Sequence, residues 1–169
     1  MRRGPAFWIA CGLGSGLTPW APGTAGSLAA LGAGMVLLAL GPALLPLAAG
    51  VATIGGVWAI QACGADRAEG GDPGWVVIDE FAGQWIALLP LVLLPDGALW
   101  NLPSLALGFL AFRALDILKP GPIGWADRQG GAAAIMADDV IAGMLAATLV
   151  WAAQVLLPGW FTTPFPFGP

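Results

Sequence analysis

The stretch Ile78-Asp79-Glu80-Phe81-Ala82-Gly83-Gln84-Trp85-Ile86-Ala87-Leu88-Leu89-Pro90-Leu91-Val92-Leu93-Leu94 decides the fold, because two adjacent carboxylates open a segment that then stays apolar to Leu94. Desolvated charge at the mouth of a membrane-length helix is costly, or is neutralised by protonation, unless it binds something. Further along the chain, Asp138-Asp139 opens another apolar segment in the same way. Between the two pairs lies Arg113-Ala114-Leu115-Asp116-Ile117-Leu118-Lys119, at the end of a third. Acidic and basic groups gathered at one depth suggest a site for a metal ion and a phosphate.

Composition sets the solvent. Of 169 residues, 58% are hydrophobic and 9% charged, with a mean hydropathy of +0.82, whereas soluble domains carry about 25% charged residues. The chain therefore reads as an integral membrane protein forming a single domain over residues 1–169. Its net charge of -4 excludes the basic stripe that nucleic-acid binding needs. With no histidine, zinc centres and His-dependent catalysis are excluded as well. Cys11 and Cys63 read as small apolar residues. The apolar patch after Arg2-Arg3 is broken by Gly12, Gly14 and Gly16, so it does not read as a signal peptide.

Segmentation predicts an all-α, polytopic membrane helical bundle with about five membrane-embedded helices. The first runs from Ala25 to Leu40, with Gly26, Ala30 and Gly34 forming a stripe for close helix packing. The second covers Ala43 to Cys63, with bends expected at Pro46 and Gly55-Gly56. The third begins between Val76 and Asp79 and ends before Pro95, the fourth spans Leu102–Leu118, and the fifth spans Asp139–Leu157. Gly121–Ala137 reads as a loop with a short surface helix, Pro5–Leu17 as an interfacial stretch, and the tail from Pro158 with Trp160, Phe161, Phe165 and Phe167 as an aromatic anchor. With the N-terminus inside, all six Lys and Arg residues fall on the cytoplasmic side, and so do the acidic pairs.

Mg²⁺ takes oxygen ligands, keeps several waters, and is typically held by one or two carboxylates plus a substrate phosphate. Asp79, Glu80, Asp138 and Asp139 are the candidate ligands and, with Asp116, the candidate catalytic groups. Neighbouring helical residues point about 100° apart, so one member of each pair is expected to face a central cleft and the other a neighbouring helix or the headgroups. Arg113 and Lys119 match the charge of a phosphomonoester, Arg by a planar fork and Lys as a point charge. The Gly- and Pro-rich loop Ser15–Thr24, ending in an expected helix N-cap at Thr24, reads either as a plain turn into the membrane or as a source of N–H and hydroxyl donors for phosphate from Ser15 and Thr24.

Four blocks carry a resemblance. They are Gly14-Ser15-Gly16 with Ala21-Pro22-Gly23-Thr24-Ala25-Gly26; Asp72-Pro73-Gly74 leading to Ile78-Asp79-Glu80-Phe81-Ala82-Gly83; Phe112-Arg113-Ala114-Leu115-Asp116-Ile117-Leu118-Lys119-Pro120 with Pro122-Ile123; and Gly130-Gly131 with Ile135-Met136-Ala137-Asp138-Asp139-Val140-Ile141-Ala142-Gly143. In this order and spacing the chain closely resembles the phosphatidylglycerophosphatase A family. The resemblance implies an Mg²⁺-dependent bacterial inner-membrane enzyme with an all-helical fold and a cytoplasmic-face active site. It would remove the terminal phosphate of phosphatidylglycerophosphate to give phosphatidylglycerol. The acids of the second and fourth blocks and the Arg-Asp-Lys of the third would form its site. Ala132-Ala133-Ala134 departs from the family, which is usually richer in glycine there.

Two other classes compete with this reading. A small ion-coupled transporter also needs buried carboxylates, but no midplane acid or repeat pair is visible. An Mg²⁺-dependent membrane phosphotransferase acting on a nucleotide-activated alcohol would show an Asp-Gly…Ala-Arg…Gly…Asp…Asp pattern, which is absent.

Overall fold

The computed structural model describes residues 4–67, 73–94 and 101–161, and every regular element among them is helical. Helix α1 covers Pro5–Ala10, α2 Pro22–Leu40, α3 Leu44–Cys63, α4 Ile78–Ala87, α5 Leu102–Leu118, α6 Pro122–Asp127, α7 Ala132–Leu156 and α8 Pro158–Phe161. Three of these, α2, α3 and α7, are long and apolar enough to cross a membrane. Asp72, Asp96, Phe165 and Phe167 lie outside the described residues.

The exposed faces identify the solvent. On α3 the outward residues are Leu47, Val51, Ile54 and Trp58, whereas Ala49, Ala52, Gly56 and Ala59 turn inward. Large apolar side chains outside and small ones inside are what close helix packing in lipid requires. The stripe on α2 behaves as expected: Gly26, Ala30 and Gly34 are buried. The Trp85 indole N–H donates to the Ala30 carbonyl at 2.8 Å, and a β-carbon on Gly34 would stand 3.1 Å from the Trp85 ring.

Several boundaries differ from the sequence expectation. Helix α2 starts at Pro22, preceded by Ala21 in the left-handed region (φ 44°), so Thr24 lies inside the first turn instead of capping it. Proline's fixed φ suits a first helical position, and this starts the helix early. Helix α3 runs unbroken through Gly55-Gly56, α-helical from Leu44 to Cys63, with Pro46 in the first turn, where a missing N–H costs little. The third expected span is not one helix. Helix α4 has 10 residues and gives way to a tighter 3₁₀ turn over Leu89–Leu93, because Pro90 lacks an N–H and its ring clashes with the carbonyl four residues back. Helix α7 begins two turns ahead of Asp139, since Ala132-Ala133-Ala134 are strong helix formers and extend it backwards. The second acidic pair therefore lies within a helix, not at its mouth.

Helix α5, the fourth expected span, matches its expected bounds. Asn101 caps it by accepting a hydrogen bond from the Ser104 N–H at 3.0 Å, and it ends where Lys119 turns left-handed (φ 44°) before Pro120. Helix α4 is the central element, packed against α2, α3, α5 and α7. Its N-terminal end is held by a bond from the Val77 N–H to the Ala10 carbonyl at 2.9 Å. At the other end of the bundle, Gln154 donates to Ser104 Oγ at 3.3 Å and ties α7 to α5.

Candidate active site

Three helices deliver the acids. Asp79 and Glu80 sit in the first turn of α4, where the helix dipole favours negative charge, and the Glu80 N–H donates to Asp79 Oδ1 at 3.1 Å. Asp116 comes from the last turn of α5, and Asp138 and Asp139 from the second turn of α7. Asp79, Asp138 and Asp139 are 3–5% exposed. Oxygens of Asp79, Glu80 and Asp139 lie within 4.8 Å of one another, as do oxygens of Asp116, Asp138 and Asp139. Asp139 belongs to both groups. Both members of each adjacent pair thus reach the cluster, contrary to the expectation that one would turn away. The 100° between neighbours is spanned because each pair straddles the cluster instead of pointing past it.

Two cations stand beside the acids. Arg113 Nη1 donates to Asp116 Oδ2 at 2.6 Å and to Ser27 Oγ at 3.3 Å, and lies 3.9 Å from Glu80 Oε1. Lys119 Nζ donates to Asp138 Oδ2 at 2.6 Å and also pairs with Asp127. Burial works against the lysine's charge, but Asp127 and Asp138 more than offset it and hold its pKa above the ordinary 10.5. Because that pKa is raised, the tether's contribution to stability is complete below pH 10.5 and is lost as pH rises through the folded value. In chelator, the difference in melting temperature between wild type and Lys119→Gln should stay constant from neutral pH to about 10 and shrink above it. A difference that already shrinks near neutrality would mean the lysine is not held charged by these acids.

The first turn of α2 closes the site from the side. A β-carbon on Gly23 would collide with Glu80 Oε1 and stand 3.3 Å from Arg113 Nη2, and Ser27 Oγ donates to the Gly23 carbonyl at 2.9 Å. Of the expected phosphate contacts on this loop, Ser15 donates to the Gly12 carbonyl at 2.9 Å. Among the described residues no hydrogen bond links Ser15 or Thr24 to the carboxylates.

Gly23, Ser27 and Gln84 were given no part in the site by the sequence reading, and Asp127, expected on the same membrane face, was given no role in it. Ser27 continues the α2 stripe at helical spacing and was legible in principle. Gln84 was legible as the lone side-chain amide between Phe81 and Leu94. It is fully buried, and its Oε1 and Nε2, like Glu80 Oε2 and Arg113 Nε, have no protein partner among the described residues. Asp127 pairs with Lys119 only through the turn into α6, which no periodicity announces.

The donors suit a hard divalent cation. All are carboxylate oxygens, and within each group of three they lie no more than 4.8 Å apart, a range that includes the roughly 4 Å between opposite ligands in an octahedral Mg²⁺ site. Asp79, Glu80 and Asp139 fit best, because Asp116 and Asp138 are already paired with Arg113 and Lys119.

A helical bundle with apolar outward faces and a buried carboxylate cluster flanked by Arg and Lys defines a membrane protein with a charged site among its helices. The phosphatidylglycerophosphatase A family profile matches residues 8–154, and the chain belongs to that family. It is 38% identical over 148 residues to phosphatidylglycerophosphatase A of Escherichia coli, covering 87% of this chain and 82% of the relative. The corresponding Haemophilus influenzae protein is 38% identical over 152 residues, covering 89% of each. A Bacteroides thetaiotaomicron protein, named provisionally as a phosphatidylinositol-3-phosphatase, is also 38% identical over 162 residues, covering 91% of this chain and 98% of the relative. No solved structure matches the chain.

Proposed function

We propose that the chain hydrolyses the terminal phosphomonoester of phosphatidylglycerophosphate to phosphatidylglycerol and inorganic phosphate, with Mg²⁺ held by Asp79, Glu80 and Asp139. The observation that carries this reading is Asp139, shared by two carboxylate groups with Arg113 and Lys119 ion-paired alongside. Family membership supplies the substrate class. When bound, Mg²⁺ supplies charge neutralisation and polarisation of the phosphoryl oxygens.

The protein's own groups do the rest. Arg113, whose buried Nε has no hydrogen-bond partner among the described residues, binds the phosphate through its guanidinium, and Lys119 adds a point charge. Water adds to phosphorus as the bond to the lipid's glycerol oxygen breaks. Asp116 and Asp138, both within 4.8 Å of Asp139, accept the water's proton and return one to the leaving glycerol oxygen. The Ser15–Thr24 loop lies beside the site through Pro22-Gly23 and offers further donors from Ser15, Thr24 and the first turn of α2.

In this reading α4 with its 3₁₀ continuation and α5 are the other two membrane-embedded segments. The N-terminus and the active site face the cytoplasm of a bacterial inner membrane, in keeping with the positions of the basic residues.

The test is phosphate release from phosphatidylglycerophosphate, with phosphatidylinositol 3-phosphate run in parallel because of the Bacteroides relative. We expect release from the first lipid to exceed the second, to fall to background in chelator, and to return with Mg²⁺. In right-side-out vesicles the phosphate should appear in the lumen. Full activity in chelator would remove the metal, and faster release from the inositol lipid would change the substrate.

A further inference from the structure

The two acidic segments share a five-residue pattern: Asp79-Glu80-Phe81-Ala82-Gly83 on α4 and Asp139-Val140-Ile141-Ala142-Gly143 on α7. In the fold these segments lie side by side in the same direction and in register. Asp79 meets Asp139, and one turn on, Gly83 meets Gly143. A β-carbon on Gly143 would collide with the Gly83 carbonyl oxygen and stand 3.0 Å from its Cα. One on Gly83 would stand 2.7 Å from the Asp139 carbonyl oxygen and strike the Phe112 ring. The obstacles are largely backbone, so no side-chain rotation removes them.

Neither glycine is needed for conformation, since neither has positive φ. Glycine inside a helix costs roughly 0.5–1 kcal/mol relative to alanine. Two such costs at one crossing, each a single turn beyond a buried acid, call for a reason beyond the packing of α4 and α7 in general.

We propose that Gly83 and Gly143 are positioning residues for the cation site: by letting α4 and α7 touch backbone to backbone, they set the Asp79–Asp139 separation and so the size of the divalent ion accepted. The inference rests on the cation reading above. Mg²⁺ holds its ligands at about 2.0–2.1 Å, whereas Ca²⁺ accepts about 2.3–2.6 Å with looser geometry. Moving the helices apart by a methyl group should therefore weaken Mg²⁺ much more than Ca²⁺.

The experiment is calorimetric titration of detergent-solubilised protein with Mg²⁺ and with Ca²⁺, alongside melting curves in chelator to establish that each variant is folded. For Gly143→Ala we expect Mg²⁺ affinity to fall by about 10–100-fold, in the range seen when groups orienting metal ligands are altered, and Ca²⁺ affinity to change little. Adding Asp139→Glu, whose longer side chain reaches across the wider gap, should restore part of the Mg²⁺ affinity. Gly55→Ala on α3, where a β-carbon meets open space, should leave both affinities as in wild type.

If Gly143→Ala does not fold, Gly83→Ala with Phe112→Leu keeps the crowding against α7 backbone and takes its place in the same titration. A folded variant with the wild-type Mg²⁺/Ca²⁺ preference overturns this inference and leaves the proposed activity standing. Wild-type protein that binds neither ion overturns both.

Discussion

Asp139→Asn should lower phosphate release by about 10³-fold or more, the equivalent of roughly 4 kcal/mol of transition-state stabilisation, and at the same time raise the melting temperature of the metal-free protein. Both effects follow from position. Asp139 is 3% exposed and takes part in both carboxylate groups, so its loss breaks the link between the two and, on the proposed reading, removes a cation ligand. Without metal, Asp79, Glu80, Asp116, Asp138 and Asp139 outnumber Arg113 and Lys119. Removing one buried charge from that excess relieves repulsion. Mg²⁺ should stabilise wild type by about 2.7 kcal/mol at a hundred times its dissociation constant, and the variant far less. The checks are an activity assay and melting curves with and without metal. A near-normal rate would remove Asp139 from the reaction, and a lower metal-free melting temperature would show that the cluster does not carry excess charge.

Arg113→Met has the opposite sign on stability. Arg113 and Asp116 are 13% and 14% exposed, and Glu80 stands 3.9 Å from the same guanidinium. Breaking a buried pair by removing one partner typically costs about 3–5 kcal/mol, because the other charge is left uncompensated. For a chain of this size that corresponds to a fall in melting temperature of roughly 6–20 °C. Adding Asp116→Asn should recover much of the stability but none of the activity. Recovered stability in the double variant would show that the single variant's loss comes from the uncompensated carboxylate. If the single variant melts with wild type, the pair is screened by water and the buried reading is wrong.

Much of this site was legible in the chain, for reasons that differ by residue. Asp79, Glu80, Arg113, Asp116, Lys119, Asp138 and Asp139 stand out because charge beside an apolar segment is expensive, so few such residues occur and each invites a use. Helix α5 was placed at its observed bounds, where Pro120 stops it and Asn101 proves to cap its start. The boundaries that moved were those where local signals compete. Pro90 cuts α4 short inside an apolar run that reads as continuous, and three alanines carry α7 back past the point where its charges suggest a start. Gly23, which abuts Glu80, was passed over in favour of the hydroxyl of Thr24. A residue that contributes only the absence of a side chain has no chemical signature.

By itself the sequence determined the solvent of this protein, its helical class, its family and most of the acids and bases of its candidate site, since these depend on composition, apolar run length and residue type. Only the tertiary structure decided which of those groups meet. That Asp139 joins two clusters, that Lys119 bonds Asp127 and Asp138, that Ser27 supports Arg113, and that α4 and α7 cross at Gly83 and Gly143 all depend on how helices distant in sequence pack. Such packing is set by the shape of small residues against backbone, which hydropathy and charge do not encode.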